Sequence, residues 1–216
     1  MLFQSISKNS VILAVFAIVT SGLVAFTSSS TETLRAEAKQ RALEKALNQI
    51  VHADQYSNDL LANRISISDP LLGLNKPKDG YLAWKDGQPY AAILPAIAPE
   101  GYGGAIEMII GIHYDGTLAG VRIVPPHSET PGLGDKVDIK KSPWVLGFNG
   151  RSLGNPKDKG WKVKKDGGDF DQFTGATITP RAVVKGIHRA LQYFEQNKTS
   201  LFSNAIPIPR STDNGH

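Results

Sequence analysis

The hydrophobic pattern begins with a long apolar run. Residues 11–26 are almost wholly apolar. With Ser10 and Thr27 the run makes about 18 residues, or ~27 Å of helix, which just spans a bilayer core. We therefore predict a membrane anchor over residues 10–27, preceded by a cytoplasmic tail of residues 1–9. A cleaved signal peptide is the alternative, although its apolar region would be long and no clean cleavage site follows.

A helical pattern comes after the anchor. Ser29 and Glu32 fit a capping box, and apolar residues then recur at helical spacing as far as Ile50. We predict a stalk helix over residues 28–51 that docks on the folded domain. A coiled-coil dimer is the alternative, but the segment is short for one.

From Tyr81 onward the pattern is typical of β-strands. Asp-Gly pairs supply the positive φ of a tight turn, so an Asp-Gly pair between two apolar segments predicts a hairpin. Two such arrangements occur, with residues 81–84 and 90–97 around Asp86-Gly87, and residues 105–114 and 118–124 around Asp115-Gly116. We predict two hairpins joined by a glycine-rich link at residues 99–104.

The chain closes with an amphipathic helix and a polar tail. Pro180 is expected in the first turn with Thr179 as the N-cap. The folded domain is predicted over residues 52–199, and residues 200–216 are predicted to form a flexible tail. The expected fold class is α+β: an N-terminal transmembrane helix, then a domain with a largely antiparallel sheet of hairpins packed with helices.

Composition narrows the possible functions. The net charge is +4 without a dense Lys/Arg block, which argues against a nucleic-acid partner. The absence of cysteine excludes iron–sulfur clusters and zinc sites held by cysteines of this chain, and thiol catalysis. Because the histidines show no metal-ligand spacing and no serine–histidine–acid arrangement is present, we predict no metal site and no catalytic residues.

The segment before the last helix has the strongest chemical pattern. Residues 171–179 read Asp-Gln-Phe-Thr-Gly-Ala-Thr-Ile-Thr and place three hydroxyls near a helix N-terminus, on Thr174, Thr177 and Thr179. Such an end favours a phosphate by ~0.3–1 kcal/mol. Gly175 and Ala176 allow the backbone to approach a ligand closely. These residues predict a phosphate site, with a simple helix cap as the alternative.

A second loop lies about 45 residues earlier. It reads Glu129-Thr130-Pro131-Gly132-Leu133-Gly134. Its two glycines allow close backbone approach to a flat ring, its N–H groups can meet the polar edge of that ring, and Leu133 can cover the apolar part. Tyr102 is a further candidate for packing on a ring. A Pro-Gly turn and an ordinary turn aromatic are the alternatives.

Together, the two motifs resemble the covalent FMN-binding domains of the Rnf and Na⁺-pumping NADH:quinone oxidoreductase complexes. The run KKDGGDFDQFTGATITPRAVV is similar to the G-subunit family of Rnf (Rsx) complexes in particular, more than to the quinone-reductase C subunit. The resemblance implies FMN in a phosphoester with Thr177, and Asp171 as the acidic residue read by a flavin transferase. The implied cofactor-binding residues are Thr177, Thr174, Gly175, Ala176, Thr179, Asp171, Glu129, Thr130, Gly132, Leu133 and Gly134.

The resemblance also implies a function. We expect an electron-relay subunit, not catalytic on its own, of a membrane-bound ion-translocating complex that moves electrons between ferredoxin and NAD⁺ and helps to keep the SoxR sensor reduced. Its partners would be the other membrane subunits, a Mg²⁺-dependent flavin transferase that uses FAD, and inner-membrane lipid around a single-pass helix, with the C-terminal domain in the periplasm.

Two rival functions belong to different classes. One is a non-redox, membrane-tethered module that binds a phosphate ligand or scaffolds partners. The other is a free-standing flavin reductase, which is disfavoured because no G-x-G-x-x-G follows a predicted strand.

Overall fold

The computed structural model describes residues 10, 12–24, 43 and 45–209, and the chain divides into two units between Lys45 and Ala46. In the first unit, residues 12–24 are helical, and their large apolar side chains are exposed. Within the described residues, no helix has both the length and the apolar character needed to cross a membrane. Parts of the predicted anchor, the predicted tail over residues 1–9 and most of the predicted stalk lie outside the described residues.

The second unit contains a five-stranded antiparallel sheet. Each strand pairs with its neighbour in sequence, in the order β1-β2-β3-β4-β5. The strands are β1 (Arg64–Ile67), β2 (Lys78–Lys85), β3 (Gln88–Gly101), β4 (Gly104–His113) and β5 (Leu118–Ile123). For the domain, the prediction of an α+β fold with an antiparallel sheet of hairpins is confirmed.

Both predicted hairpins are present, and the segment between them differs from the prediction. Asp86 and Gly87 have φ values of 51° and 77°, so the turn between β2 and β3 has the positive φ expected of Asp-Gly. The predicted link at residues 99–104 is instead a second tight turn, because Gly101 pairs with Gly104. The glycines let the chain reverse within two residues, and the two hairpins become one meander.

Strand β1 was not predicted from the sequence. It is four residues long and lies at the edge of the sheet, where Ile67 is its buried residue. With so few buried positions, the strand has no alternating pattern long enough to be distinguished from a loop.

A long helix, Ile178–Ser203, packs against the sheet and is called the C-terminal helix below. Its buried face includes Val183, Ile187, Leu191 and Phe194, each at most 2% exposed. A Cβ placed on Gly186 would lie 2.6 Å from Met108 Cε, so glycine permits the close approach of helix and strand. Ala98 Cβ would lie 3.4 Å from the same position, so β3 also runs close to this part of the helix.

The C-terminal helix runs four residues past the predicted domain end. Residues 204–209 then lie against an earlier segment, where Ile208 N donates to Asn63 Oδ1 at 2.9 Å and Asn63 Nδ2 donates to Ile206 O at 2.8 Å. The predicted flexible tail is therefore wrong for residues 200–209. The physical reason is a buried asparagine amide that supplies partners for this backbone, while residues 210–216 lie outside the described part.

The end of the predicted stalk helix packs on β4 and β5. Ile50 is 4% exposed, and a Cβ on Gly111 would lie 2.1 Å from Ile50 Cγ2. Arg122 donates to Gln49 O at 3.0 Å and to Gln49 Oε1 at 3.1 Å, which places a positive charge at the C-terminal end of the helical residues 45–50. The described residues 46–51 thus pack on β4 and β5, and the stalk helix over residues 28–51 stays a prediction.

Candidate cofactor site

The site begins with a tight turn before the C-terminal helix. Ala176 N donates to Phe173 O at 3.1 Å, and Gly175 has φ 80°, in the left-handed region that glycine adopts without penalty. The turn delivers Thr177 to the N-cap position of the helix, where its side chain makes no capping hydrogen bond. The hydroxyl of Thr177 is therefore not committed to the helix end.

A pocket of about 220 Å³ lies beside Thr177. Its walls come from three segments: the helix entrance, the loop at residues 130–134 and the β3–β4 turn. Predicted site residues that line it are Thr130, Leu133, Gly134, Gly175, Ala176, Thr177 and Thr179. The structure thus brings the two sequence motifs together, and a Cβ on Gly175 would lie only 3.6 Å from Leu133 Cδ2.

Four predicted site residues lie outside the lining of this pocket. Gly132, with φ 76°, forms the bend of its loop, and Thr174 is exposed on the tight turn. Asp171 projects away from the domain; its carboxylate is 70% exposed and lies 2.7 Å from Lys164 Nζ. The backbone of Asp171 is held in place, because Trp144 Nε1 donates to its carbonyl oxygen at 2.8 Å.

Glu129, the fourth, is buried behind the pocket wall. It is 5% exposed, and its Oε1 accepts a hydrogen bond from Gly103 N at 3.0 Å. Its Oε2 accepts a hydrogen bond from the Thr179 hydroxyl. The sequence prediction of Thr179 as the N-cap is therefore wrong: Thr179 lies in the first helical turn, is fully buried, and has its hydroxyl bound to a carboxylate.

Large apolar side chains are exposed at the pocket. Tyr102 is 69% exposed, Ile178 is 47% exposed and Leu133 is 39% exposed, and all three line it. Ile178 was not predicted as a site residue. The sequence signal that could have identified Ile178 is its position: it is an apolar residue directly after Thr177, at the first position of the helix, where it cannot reach the core.

Ion pairs surround the tight turn. Arg181 forms two 2.5 Å contacts with Asp166, and its hydrogen bond holds the pKa of the Asp166 carboxyl below its usual value. Lys164 pairs with Asp171, and Lys165 N donates to Gln172 Oε1 at 3.1 Å. The segment before Thr177 is thus fixed at several points, although it lies on the surface.

These residues fit a phosphorylated, flat-ring cofactor. A phosphate at Thr177 would meet the positive end of the helix dipole and unpaired N–H groups of the first turn. A ring beside it would find glycine backbone at Gly134 and Gly175 and apolar side chains at Tyr102 and Leu133. The pocket is smaller than the ~300–1,000 Å³ of sites that enclose a small molecule, so part of such a cofactor stays exposed.

Comparison with known families agrees with this chemistry. The FMN-binding domain family matches residues 101–192, a range that includes the pocket and both motifs. The RnfG N-terminal region family matches residues 1–50.

Several relatives that match nearly the whole chain are named the G subunit of the ion-translocating oxidoreductase complex. The protein of that name from Pseudomonas aeruginosa (strain UCBPP-PA14) is 49% identical over 201 residues, which cover 93% of this chain and 94% of the relative. Its counterpart from Vibrio cholerae (strain ATCC 39541) is 47% identical over 206 residues, covering 95% and 98%. That from Shewanella baltica (strain OS223) is 46% identical over 197 residues, covering 91% and 92%. The chain therefore belongs to the G-subunit family of ion-translocating oxidoreductase complexes and contains their FMN-binding domain.

Proposed function

We propose that this chain is an electron-relay subunit in which FMN is esterified through its phosphate to Thr177. The observation that supports this most strongly is the meeting of Thr177 and the Thr130–Gly134 loop at one pocket, within a chain of this family. FMN supplies reversible electron acceptance and donation when bound, and the protein supplies its position and surroundings.

Attachment uses the free hydroxyl of Thr177. In the proposed reaction with FAD, a bond forms between Thr177 Oγ1 and the phosphorus of the FMN half, and the diphosphate bond breaks. AMP leaves, and the hydroxyl proton is lost. The side chain of Thr177 makes no capping hydrogen bond and is partly exposed, so it can enter a second protein's active site.

Asp171 is proposed as a recognition residue for the transferase. Its carboxylate is exposed, while its carbonyl is bound by Trp144 and its side chain by Lys164. A fixed, exposed carboxylate six residues before Thr177 gives a second protein a marker beside the acceptor. It contacts nothing in the pocket, so we assign it to attachment and not to holding the bound flavin.

The open pocket suits a relay. Because Tyr102, Leu133 and Ile178 are exposed at its edge, a ring seated there remains within reach of redox groups on neighbouring subunits. Covalent attachment removes dissociation, so the flavin need not be replaced. The chain's own residues thus bind and orient the ring and leave one side of it accessible.

The proposed setting is the bacterial inner membrane. The relatives are named as subunits of ion-translocating complexes, which supports membrane association and partner subunits for this chain. We propose a single-pass anchor at residues 10–27 in contact with lipid, and a periplasmic C-terminal domain. Electron exchange between ferredoxin and NAD⁺, and maintenance of reduced SoxR, stay predictions.

Co-expression with a flavin transferase tests the attachment site. The wild type and Thr174→Ala should fluoresce on a denaturing gel, where non-covalent flavin is lost, and Thr177→Ala should not. Thr174 is the matched control because it is an exposed threonine on the same turn. Equal fluorescence of Thr177→Ala and wild type would exclude Thr177 as the acceptor. If the wild type shows no fluorescence although the transferase is active, the non-redox binding module would be favoured.

A further inference from the structure

We propose that Glu129 is a positioning residue for the flavin and that its buried charge lowers the reduction potential of the flavin. This inference rests on the proposed function. Glu129 does not line the pocket; it acts through Gly103 and Thr179, to which its two carboxylate oxygens bind. Glu129 therefore holds the pocket in shape and acts on the flavin through its charge, without contacting the cofactor.

One carboxylate joins the three segments that form the pocket. Oε1 binds the amide of Gly103, next to Tyr102 in the β3–β4 turn. Oε2 binds the hydroxyl of Thr179, two residues after Thr177 in the helix. Glu129 itself directly precedes the Thr130–Gly134 loop. The seat for the ring and the attachment threonine are thereby linked through a single side chain, although they are far apart in sequence.

Glycines close tightly around this carboxylate. A Cβ on Gly134 would lie 2.7 Å from Glu129 Oε2 and 2.9 Å from Thr179 Oγ1, and one on Gly101 would lie 2.8 Å from Glu129 Oε1. A Cβ on Gly103 would meet Ser128 O at 1.9 Å. No side chain larger than hydrogen fits at these positions without displacing the carboxylate or its loop, so the arrangement is specific to one geometry.

The hydrogen bonds are compatible with an ionised carboxylate. The Gly103 amide can only donate and the Thr179 hydroxyl is able to donate, so both oxygens of Glu129 can accept, and we take the carboxylate as ionised. Among residues 45–209, Glu129 forms no ion pair with a cation. A negative charge behind the pocket wall opposes the gain of negative charge on reduction, and poor solvation at this depth strengthens the effect. Removing the charge should therefore raise the reduction potential of the flavin.

Four single variants and one double variant of the full chain, co-expressed with the transferase, test the proposal. Thr179→Val removes the hydroxyl at nearly constant volume, Thr179→Ser keeps it, and Glu129→Gln removes the charge. Thr199→Val, on the exposed face of the same helix, is the control. Intact mass first establishes FMN loading. Absorption, fluorescence anisotropy and midpoint potential are then measured on the loaded proteins.

We expect Glu129→Gln to raise the midpoint potential and Thr179→Val to broaden the flavin absorption and lower its anisotropy. Thr179→Ser should restore the wild-type spectrum. In the double variant of Glu129→Gln and Thr179→Val, the change in midpoint potential should be smaller than the sum of the changes in the two single variants. The reason is that both substitutions alter the Glu129–Thr179 hydrogen bond. If the FMN-loaded variants Glu129→Gln and Thr179→Val have the same spectrum and midpoint potential as Thr199→Val, the proposal is overturned.

A second measurement needs no flavin. In the Thr177→Ala background, Glu129→Ala, which removes the acceptor of the Gly103 amide, should increase hydrogen exchange at that amide by at least about tenfold, the factor expected for loss of a hydrogen bond to a charged acceptor. Unchanged exchange at Gly103 would overturn the positioning role even if wild type carries FMN. Absence of FMN from wild type would instead overturn the proposed function, while faster Gly103 exchange would still support the positioning role of Glu129.

Discussion

The guanidinium group of Arg181 makes two 2.5 Å hydrogen bonds to the carboxylate of Asp166. The chain between these residues contains Asp171 and Thr177, so the ion pair closes the loop that holds the attachment residue. Arg181 N also donates to Thr177 O at 3.2 Å. The side chain of Arg181 thus holds the loop, and its backbone amide binds the N-cap residue Thr177.

Arg181→Met is expected to slow FMN attachment by a few-fold without preventing it. The pair is exposed to solvent, so its loss loosens the loop but leaves the core intact. The rate is measured by time-resolved intact mass with purified transferase. Lys198→Met, which breaks the Lys198–Glu195 pair on the same helix, is the control. Equal rates for the two variants would show that the Arg181 pair does not order the acceptor loop.

We expect the flavin ring to need Gly134, in the wall of the pocket, in order to bind in one fixed orientation. Gly134→Ala would place a methyl group within 3 Å of both Glu129 and Thr179, and such overpacking costs typically ~1–3 kcal/mol. We expect a lower unfolding midpoint and a more mobile flavin. Gly147→Ala is the control, because a Cβ there meets no atom within 4 Å. The measurements are urea unfolding and flavin anisotropy, and identical results for the two variants would contradict the close packing at Gly134.

Docking of the stalk should depend on Gly111. In Gly111→Ala the new Cβ would lie 2.1 Å from Ile50 Cγ2, whereas in Gly120→Ala the nearest stalk atom, Ile50 Cα, is 3.6 Å away. We expect Gly111→Ala to displace residues 46–51 and to increase their hydrogen exchange. Gly120 lies in β5 and pairs with Gly111, and Gly120→Ala should leave the position and the hydrogen exchange of residues 46–51 unchanged. Protection of residues 46–51 that survives in Gly111→Ala would show that Ile50 does not pack there.

Stability should fall as pH decreases from about 6.5. Burial lowers the pKa of His188 below its ordinary value of 6.5, against the opposing effect of Asp158. Burial likewise lowers the pKa of His113, although the negative charge of Asp115 acts in the opposite direction. Because the unfolded chain binds more protons in this window, the stabilisation is complete above pH 6.5 and is lost as pH falls through the lower folded-state pKa values.

His188→Gln should reduce that pH dependence. Urea unfolding midpoints at pH 7.5 and pH 5.5 are compared for wild type, His188→Gln and the exposed control His52→Gln. The drop in midpoint should shrink in His188→Gln and persist in His52→Gln. A drop that is unchanged in His188→Gln would assign the pH effect to other groups.

The sequence predicted the elements whose local chemistry leaves few alternatives. Asp86-Gly87 predicted its turn because few residue pairs adopt positive φ twice in succession, and Pro180 predicted the C-terminal helix, although its N-cap is Thr177 and not Thr179. The FMN-binding domain and the membership of the G-subunit family were also predicted from two short motifs, and the comparisons bear them out.

What the sequence could not predict depends on long-range partners. Thr179 has the residue type and position of an N-cap, and only the fold shows that Glu129, 50 positions earlier, takes its hydroxyl. Residues 204–209 have the composition of a free tail, yet the amide of Asn63 binds their backbone. Strand β1 forms because Lys78–Tyr81 offers an edge to pair with, not because its own four residues specify it.

The intact mass of the full chain, extracted from membranes after co-expression with the transferase, tests the central claim most directly. We predict a mass equal to the unprocessed chain plus one FMN less one water, with the added mass localised to the peptide that contains Thr177. The same measurement reports whether the predicted anchor at residues 10–27 is retained. A mass equal to the bare polypeptide, or FMN on a peptide without Thr177, would contradict the account.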